Sequence, residues 1–184
     1  DDADDVATQA AAAFAELIRT RPEAVIGLAT GSTPEASYTE LARLHLDTGL
    51  SFSEVTSFNL DEYWGLGGGH NQSYRYFMND RLFQHIDIQP WNTHVLNGKA
   101  RFPELECRSF EDSILAVGGI DLWLLGIGGN GHIAFNEPGS PFDSRTRRIE
   151  LAESTRTANS RFFQDADEVP HQAVTMGIGT ILDA

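Results

Sequence analysis

The 184-residue chain carries 27 acidic and 13 basic side chains, and its formal net charge is −14. This charge disfavours general binding to nucleic acid or to an anionic membrane. The length and the 41% hydrophobic content suit one globular domain with a buried core. Cys107 is the only cysteine, so no intrachain disulfide can form and a reducing, cytoplasmic location fits. No apolar stretch is long enough to predict a membrane span, and no signal-peptide pattern is present.

Helical and strand patterns alternate along the chain. Short, almost continuously apolar runs predict strands that are covered on both faces, and amphipathic segments predict helices. In chain order these are a helix (6–18), a strand (24–31), a helix (33–46), a strand (55–60), a helix (71–86), a weaker strand (93–97), a helix (110–117) and two strands (120–128 and 173–179). Thr33 is a candidate N-cap, with Pro34 in the first helical position. The alternation predicts an α/β, Rossmann-like fold with a mainly parallel sheet sandwiched by helices.

Ligands of such folds bind outside the carboxyl ends of the strands, so the residues that follow each strand are the first candidates for a binding site. The segment "ATGSTPE" places Gly31, Ser32 and Thr33 between a strand and a helix, where free backbone N–H groups suit a phosphate. The loop lacks the Gly-Lys-Ser/Thr ending of a nucleoside-triphosphate site. From this loop alone, an ordinary helix-capping turn is the simpler interpretation.

Two further strand ends carry candidate acid–base groups. Asp61 follows an apolar strand in "FNLDEYWG", where partial burial raises a carboxyl pKa and suits a general base, although aspartate is also common in turns. In "GIGGNGHIAFNEPG", glycines frame His132, and Glu137 follows five positions later. A histidine that titrates near neutral pH beside a carboxylate is typical of a proton-transfer site. One histidine and one carboxylate are too few to favour a metal site.

Together these segments resemble the glucosamine-6-phosphate deaminase (isomerase) family. The matching segments occur in the family's order over nearly the whole chain: "LATGSTPEASY", "SFNLDEYWGL", "HNQSYRYFM", "GGIDLWLLGIGGNGHIAFNEPGS", "SRTR", "TRTANSRFF" and "MGIGTILDA". The related 6-phosphogluconolactonases share the fold and a Gly-His pair. Their loop does not continue as Phe-Asn-Glu-Pro, so a lactone hydrolase is the lower-ranked alternative.

The resemblance implies conversion of glucosamine 6-phosphate and water to fructose 6-phosphate and ammonia, with no metal or organic cofactor. His132 would shuttle the proton that opens the sugar ring, supported by Glu137. Asp61 would move the proton from C2 to C1. Many members have aspartate where this chain has Asn130, which can orient His132 by a hydrogen bond but cannot offset an imidazolium charge. We therefore expect His132 to depend more on Glu137.

The resemblance also implies a set of binding residues for the small sugar phosphate. Arg161 and the loop residues would hold the phosphate, and two glycines would let the backbone lie against the sugar. The loop residues are Thr30, Gly31, Ser32 and Thr33, and the two glycines are Gly126 and Gly128. A non-catalytic sugar-phosphate sensor is the alternative from another class. Retention of the acid–base residues favours the enzyme.

Family members extend further at both ends of the matched region. They have a strand before the position of Asp1, and a further strand with a phosphate-contacting lysine after Ala184. We therefore expect residues 1–184 to form one α/β domain that lacks its N-terminal strand and its C-terminal part. Members occur as monomers and as hexamers, so a homo-oligomer is one of two expectations for the assembly.

Overall fold

The computed structural model describes residues 3–184, apart from the side chain of Ala166. Asp1 and Asp2, which belong to the expected domain, lie outside the described residues. The helices are α1 (Ala3–Thr20), α2 (Glu35–Thr48), α3 (Tyr74–Arg81), α4 (Pro103–Ala116), α5 (Glu153–Asn159) and α6 (Ile178–Leu182). The strands are β1 (Val25–Leu28), β2 (Thr56–Asn59), β3 (Asp61–Tyr63), β4 (Thr93–His94), β5 (Leu122–Trp123), β6 (Arg147–Glu150) and β7 (Gln172–Thr175).

A four-stranded parallel sheet of order β4-β2-β1-β5 forms the centre of the fold. Side chains alternate across β1, as the period of a strand requires. Ile26 and Leu28 pack with α1 and α2 in one buried cluster. Val25 packs with α4 in another, together with Phe110 and Ile114. The predicted mainly parallel sheet between helices is therefore confirmed.

A second, three-stranded sheet of order β3-β7-β6 is antiparallel and was not predicted. Only Leu60 separates β2 from β3, so the chain leaves one sheet and enters the other within one residue. The predicted strand at 173–179 forms only over Gln172–Thr175, and both of its neighbours run antiparallel to it. A continuous apolar run indicates burial on both faces but carries no information about strand direction.

Several predicted boundaries were wrong, three of them where loops begin. Helix α4 also starts at Pro103, seven residues before the predicted start at Phe110. The strand predicted over 120–128 ends at Trp123, and the chain then turns into the glycine loop. Helix α2 begins at Glu35, with Pro34 at the N-cap position and no side-chain cap, so Thr33 is not the N-cap. Helix α3 is shorter than predicted because Ser73 caps it by accepting a hydrogen bond from the Tyr76 N–H.

Gly27 in the centre of β1 provides the space that the Trp123 indole fills. A Cβ atom at this position would lie 1.7 Å from Trp123 Cε3. We predict that Gly27→Ala displaces the indole and lowers the free energy of unfolding by about 1–3 kcal/mol, as overpacking of a core does. Urea unfolding followed by far-UV circular dichroism measures this change.

Gly69→Ala is the matched control, because an added Cβ there would meet nothing within 4 Å. Equal stabilities of the two variants would contradict the packing role of Gly27.

Candidate active site

The carboxyl ends of β1, β2 and β5 open into one cavity of about 580 Å³. The loop after β1, the residues after β2 and the glycine loop after β5 all line it. Asp61 and His132 both contribute to its wall, although 71 positions separate them along the chain. The topology therefore brings the two candidate acid–base residues to one small-molecule cavity.

Residues 30–33, the predicted phosphate loop, form one side of the cavity. Gly31 has a φ of +99°, a left-handed conformation that glycine adopts without strain. Helix α2 starts directly after this turn, so its unpaired N–H groups and the positive end of its dipole lie next to the loop. The buried Tyr38 hydroxyl donates to the carbonyl of Ala29 and fixes the base of the loop. Arg161 also lines the cavity, with its guanidinium 4.7 Å from the centre of the Phe162 ring.

Asp61 is a buried carboxylic acid on the cavity wall, with 6% of its surface exposed. Burial, and secondly the charge of Glu62, raise the pKa of Asp61 to about 8. Glu62 has a different environment, because its carboxylate accepts the backbone N–H groups of Tyr63, Tyr74 and Arg75. Burial raises the pKa of Glu62 as well, against those hydrogen bonds. Glu62 therefore holds the start of α3, and Asp61 is the carboxyl group of the pair that lines the cavity.

The imidazole of His132 lies against the backbone of Gly128. A Cβ atom on Gly128 would be 2.2 Å from His132 Nε2, so a larger residue would displace the ring. A turn holds the two residues together, with the Gly128 N–H donating to the His132 carbonyl at 2.8 Å. His132 Nδ1 is buried without a hydrogen-bond partner and lies 3.9 Å from Glu137 Oε2. At this distance the two side chains form an ion pair whenever the imidazole is protonated.

Asn130 contacts His132 through the backbone and not through the ring. Its side-chain oxygen accepts the His132 N–H at 3.2 Å, and its amide group donates to Glu137 Oε2 at 2.6 Å. The expected hydrogen bond from Asn130 to the imidazole is therefore replaced by one to Glu137. Two of the predicted residues, Asn130 and Glu137, contact His132 but do not line the cavity. The other predicted binding residues line it, namely Gly126, Gly128, Arg161 and the loop 30–33.

Hydrogen bonds to the second sheet fix the shape of the glycine loop. The Phe135 N–H donates to Thr175 Oγ1 at 3.1 Å, and the Asn136 amide donates to the Met176 carbonyl at 2.8 Å. Ala134 between them and His132 has a φ of +51°, which costs a non-glycine residue free energy. Asn136 is thus a structural residue of the loop, whose side chain is turned away from the cavity.

Sequence reasoning missed the aromatic and polar residues that complete the cavity wall. Tyr63 and Tyr74 lie with ring centres 5.0 Å apart, and burial raises the pKa of Tyr63 to about 12. The Tyr63 hydroxyl accepts a hydrogen bond from the Asn159 amide at 2.8 Å. At the rim, Arg81 Nε lies 3.5 Å from Glu35 Oε2. The motifs "NLDEY" and "TANSRFF" contain Tyr63 and Asn159, but neither motif indicates that the two side chains form a hydrogen bond.

Residues 3–184 contain neither a metal-binding cluster nor a membrane-spanning helix. No group of three or more His, Cys, Asp or Glu side chains in that range is arranged to hold a metal ion. None of the helices described above has the length and hydropathy needed to cross a bilayer.

The fold and these side chains define an α/β protein with an acid–base site at the carboxyl ends of its parallel strands. The family model for glucosamine-6-phosphate isomerases/6-phosphogluconolactonase matches residues 1–184. Glucosamine-6-phosphate deaminase 1 of Giardia intestinalis is 54% identical over 181 residues, which cover 98% of this chain and 68% of that protein. The deaminase of Shouchella clausii is 52% identical over 181 residues, 98% of this chain and 73% of that protein. The chain belongs to the glucosamine-6-phosphate deaminase (isomerase) family.

Solved structures agree with this assignment. A monomeric glucosamine-6-phosphate deaminase superimposes with a TM-score of 0.98 at 49% identity, covering 100% of this chain and 76% of that one. The 6-phosphogluconolactonase of Trypanosoma cruzi superimposes with a TM-score of 0.75 at 20% identity, covering 100% of this chain and 74% of that one. At that identity the second likeness shows a shared fold alone.

The raised pKa of Asp61 predicts an unusual dependence of stability on pH. The folded-state pKa of about 8 is above the ordinary value of 3.8, so the folded protein binds the proton more tightly between those values. The wild-type protein should therefore lose stability as the pH rises from about 4 to about 8, relative to Asp61→Asn. The slope is at most about 1.4 kcal/mol per pH unit, and the total is a few kcal/mol.

Thermal unfolding of both proteins at pH 5, 7 and 9 measures this difference. Asp112→Asn, an exposed substitution on α4, is the control and should follow the wild type at every pH. A stability difference between wild type and Asp61→Asn that does not change with pH would contradict the buried, protonated state of Asp61.

Proposed function

We propose that this site converts glucosamine 6-phosphate and water to fructose 6-phosphate and ammonia by ring opening, enolisation and deamination. The observation that carries the proposal is the shared cavity of about 580 Å³, which Asp61, His132 and the loop 30–33 all line. A hexose phosphate has a hemiacetal, an acidic C–H bond and a phosphate dianion. In this proposal His132 acts on the hemiacetal, Asp61 acts on the C–H bond, and the loop 30–33 binds the phosphate.

Ring opening requires one group that takes a proton from the C1 hydroxyl and returns a proton to the ring oxygen. An imidazole does both near neutral pH, and His132 is the histidine on the cavity wall. Glu137 Oε2, 3.9 Å from Nδ1, faces the imidazolium formed midway through the transfer. In this proposal Asn130 assists indirectly, because it holds Glu137.

Enolisation moves a proton between adjacent carbons, so one base must face both C2 and C1. Asp61 sits on a strand at the cavity wall, which gives it a fixed position. Its carboxylate takes the C2 proton to give an enolamine and then delivers the proton to C1. Water then adds at C2 of the resulting imine, and ammonia leaves. The raised pKa makes Asp61 a stronger base than an exposed carboxylate.

Phosphate binding is assigned to the loop 30–33 and Arg161. The net charge of −14 repels a dianion at long range, so the attraction must come from local groups. The backbone N–H groups before α2 and the guanidinium of Arg161 are such groups, and both lie on the cavity. The sugar would then extend toward Asp61 and lie against the backbone of Gly126 and Gly128.

A cytoplasmic location is part of the proposal, because a phosphorylated sugar does not cross membranes unaided and the free thiol of Cys107 suits a reducing compartment. For the assembly, a monomer and a homo-oligomer both remain expectations. The deaminase that superimposes with a TM-score of 0.98 is described as monomeric. Analytical ultracentrifugation with and without glucosamine 6-phosphate measures the state of this chain.

Ammonia release from glucosamine 6-phosphate tests the reaction directly. Binding of the sugar without turnover would instead support a sensor. Acid release from 6-phosphogluconolactone without ammonia formation would support a lactone hydrolase.

We predict that Asp61→Asn abolishes exchange of the C2 proton with solvent, because an amide cannot accept the proton. The loss should be at least about 10²–10⁴-fold, the usual contribution of a general base. Proton NMR of the sugar in D₂O measures the exchange, and calorimetry tests that the phosphate still binds. Exchange at a rate near that of wild type would assign the base to another residue.

We also predict that His132→Gln slows ring opening by about 10²-fold or more and affects the open-chain sugar less. Glutamine approximates the size of the side chain but does not titrate. Rates with the cyclic substrate and with an analogue that cannot cyclise separate the two steps. Equal losses on both substrates would remove His132 from ring opening.

A further inference from the structure

The hydroxyl group of Thr155 forms a hydrogen bond that none of the roles above includes. Thr155 lies in α5 with 4% of its surface exposed, and its Oγ1 donates to Glu137 Oε1. A threonine hydroxyl in a helix can donate to the i−4 carbonyl, as the exposed Thr39 does in α2 by donating to the Glu35 carbonyl. Thr155 instead contacts a carboxylate 18 residues away.

The two carboxylate oxygens of Glu137 have different partners. Oε1 accepts from Thr155, while Oε2 accepts from the Asn130 amide at 2.6 Å and lies 3.9 Å from His132 Nδ1. Two donors on opposite oxygens fix the rotation of a carboxylate, which otherwise turns freely about its terminal bond. Both donors are neutral, so the negative charge remains available to His132. Loss of the Thr155 donor would leave Glu137 held by the exposed Asn130 alone.

Helix α5 connects this hydrogen bond to two residues of the cavity wall. The chain continues from Thr155 to Asn159 and Arg161, and both of these residues line the cavity. A shift of α5 when a ligand binds near Arg161 would therefore move the hydroxyl that holds Glu137. Thr155 is the residue of α5 whose side chain donates to Glu137.

We propose that Thr155 is a positioning residue whose hydroxyl holds Glu137 with Oε2 toward His132 Nδ1, and so links α5 to the acid–base pair. This inference rests on the proposed function for its rate effects. Thr155 does not line the cavity, so it acts through Glu137 and not on the sugar.

Thr155→Val removes the hydroxyl and keeps the branched shape. We expect kcat for glucosamine 6-phosphate to fall about 10-fold, because misplacement of a catalytic partner slows chemistry, while KM changes less than about 2-fold. Thr155→Ser restores the hydroxyl and should recover most of kcat. Thr157→Val, an exposed change on the same helix, is the matched control and should behave as wild type.

A double-mutant cycle with Glu137→Ala separates positioning from a general structural role. If Thr155 acts through Glu137, Thr155→Val should change kcat less than about 2-fold when the carboxylate is already absent. A further loss of about 10-fold in the Glu137→Ala background would overturn the inference. So would a wild-type kcat in Thr155→Val, or a Thr155→Ser variant as slow as the valine variant.

The failure of this inference and that of the proposed function give different results. If the wild type releases no ammonia, the proposed function is wrong, and the ¹⁵N resonance of His132 Nδ1 still tests the link without substrate. That resonance should shift in Thr155→Val and stay unchanged in Thr157→Val. An unshifted resonance in Thr155→Val would overturn the inference whatever the activity. Circular dichroism of each variant confirms that it is folded.

Discussion

The attachment of the glycine loop to the second sheet is the constraint on which the site depends. Glycine-rich backbone is flexible by itself, and five glycines between 126 and 139 would not hold an imidazole in place. The hydrogen bonds from Phe135 to Thr175 and from Asn136 to Met176 remove that freedom. Because β7 also pairs with β3, which carries Asp61, one strand sets the position of both acid–base residues. The antiparallel sheet thus fixes the glycine loop and Asp61, and the carboxyl ends of the parallel strands lead into the loops that line the cavity.

Burial of Asp61 connects stability to chemistry. A buried carboxyl group prefers its neutral form. Ionisation of Asp61 in the folded protein therefore costs more free energy than ionisation of an exposed aspartate. The same cost makes the ionised form a stronger base. Glu62, the next residue, avoids an equivalent role because three backbone N–H groups donate hydrogen bonds to its carboxylate. Two adjacent carboxylates therefore differ in function because the strand points them to opposite sides.

The sequence predicted the parallel sheet, the strand-end loops and some of the residues that line the cavity, because each of these has a local signal. Apolar runs mark β1 and β2, and glycine with hydroxyl residues marks the anion loop. Strand β6 has no such signal, since half-buried Arg147 and Ile149 alternate with exposed Arg148 and Glu150, and this charged segment suggests a solvated surface. The antiparallel direction of β7 and the contact between Thr155 and Glu137 depend on tertiary packing, for which one sequence provides no pattern. The change of partner of Asn130 from the imidazole to Glu137 has the same origin.

Gly128 illustrates how a glycine can have a second physical reason that its sequence motif does not show. The sequence suggests that this glycine lets the backbone approach the sugar, as in other glycine-rich loops. In the structure the space above Gly128 is filled by the His132 ring, 2.2 Å from where a Cβ would be. Gly128 and His132 both line the cavity, so the packed imidazole does not remove Gly128 from the cavity wall. The glycine is therefore required first by the residue four positions later, and any contact with a ligand comes second.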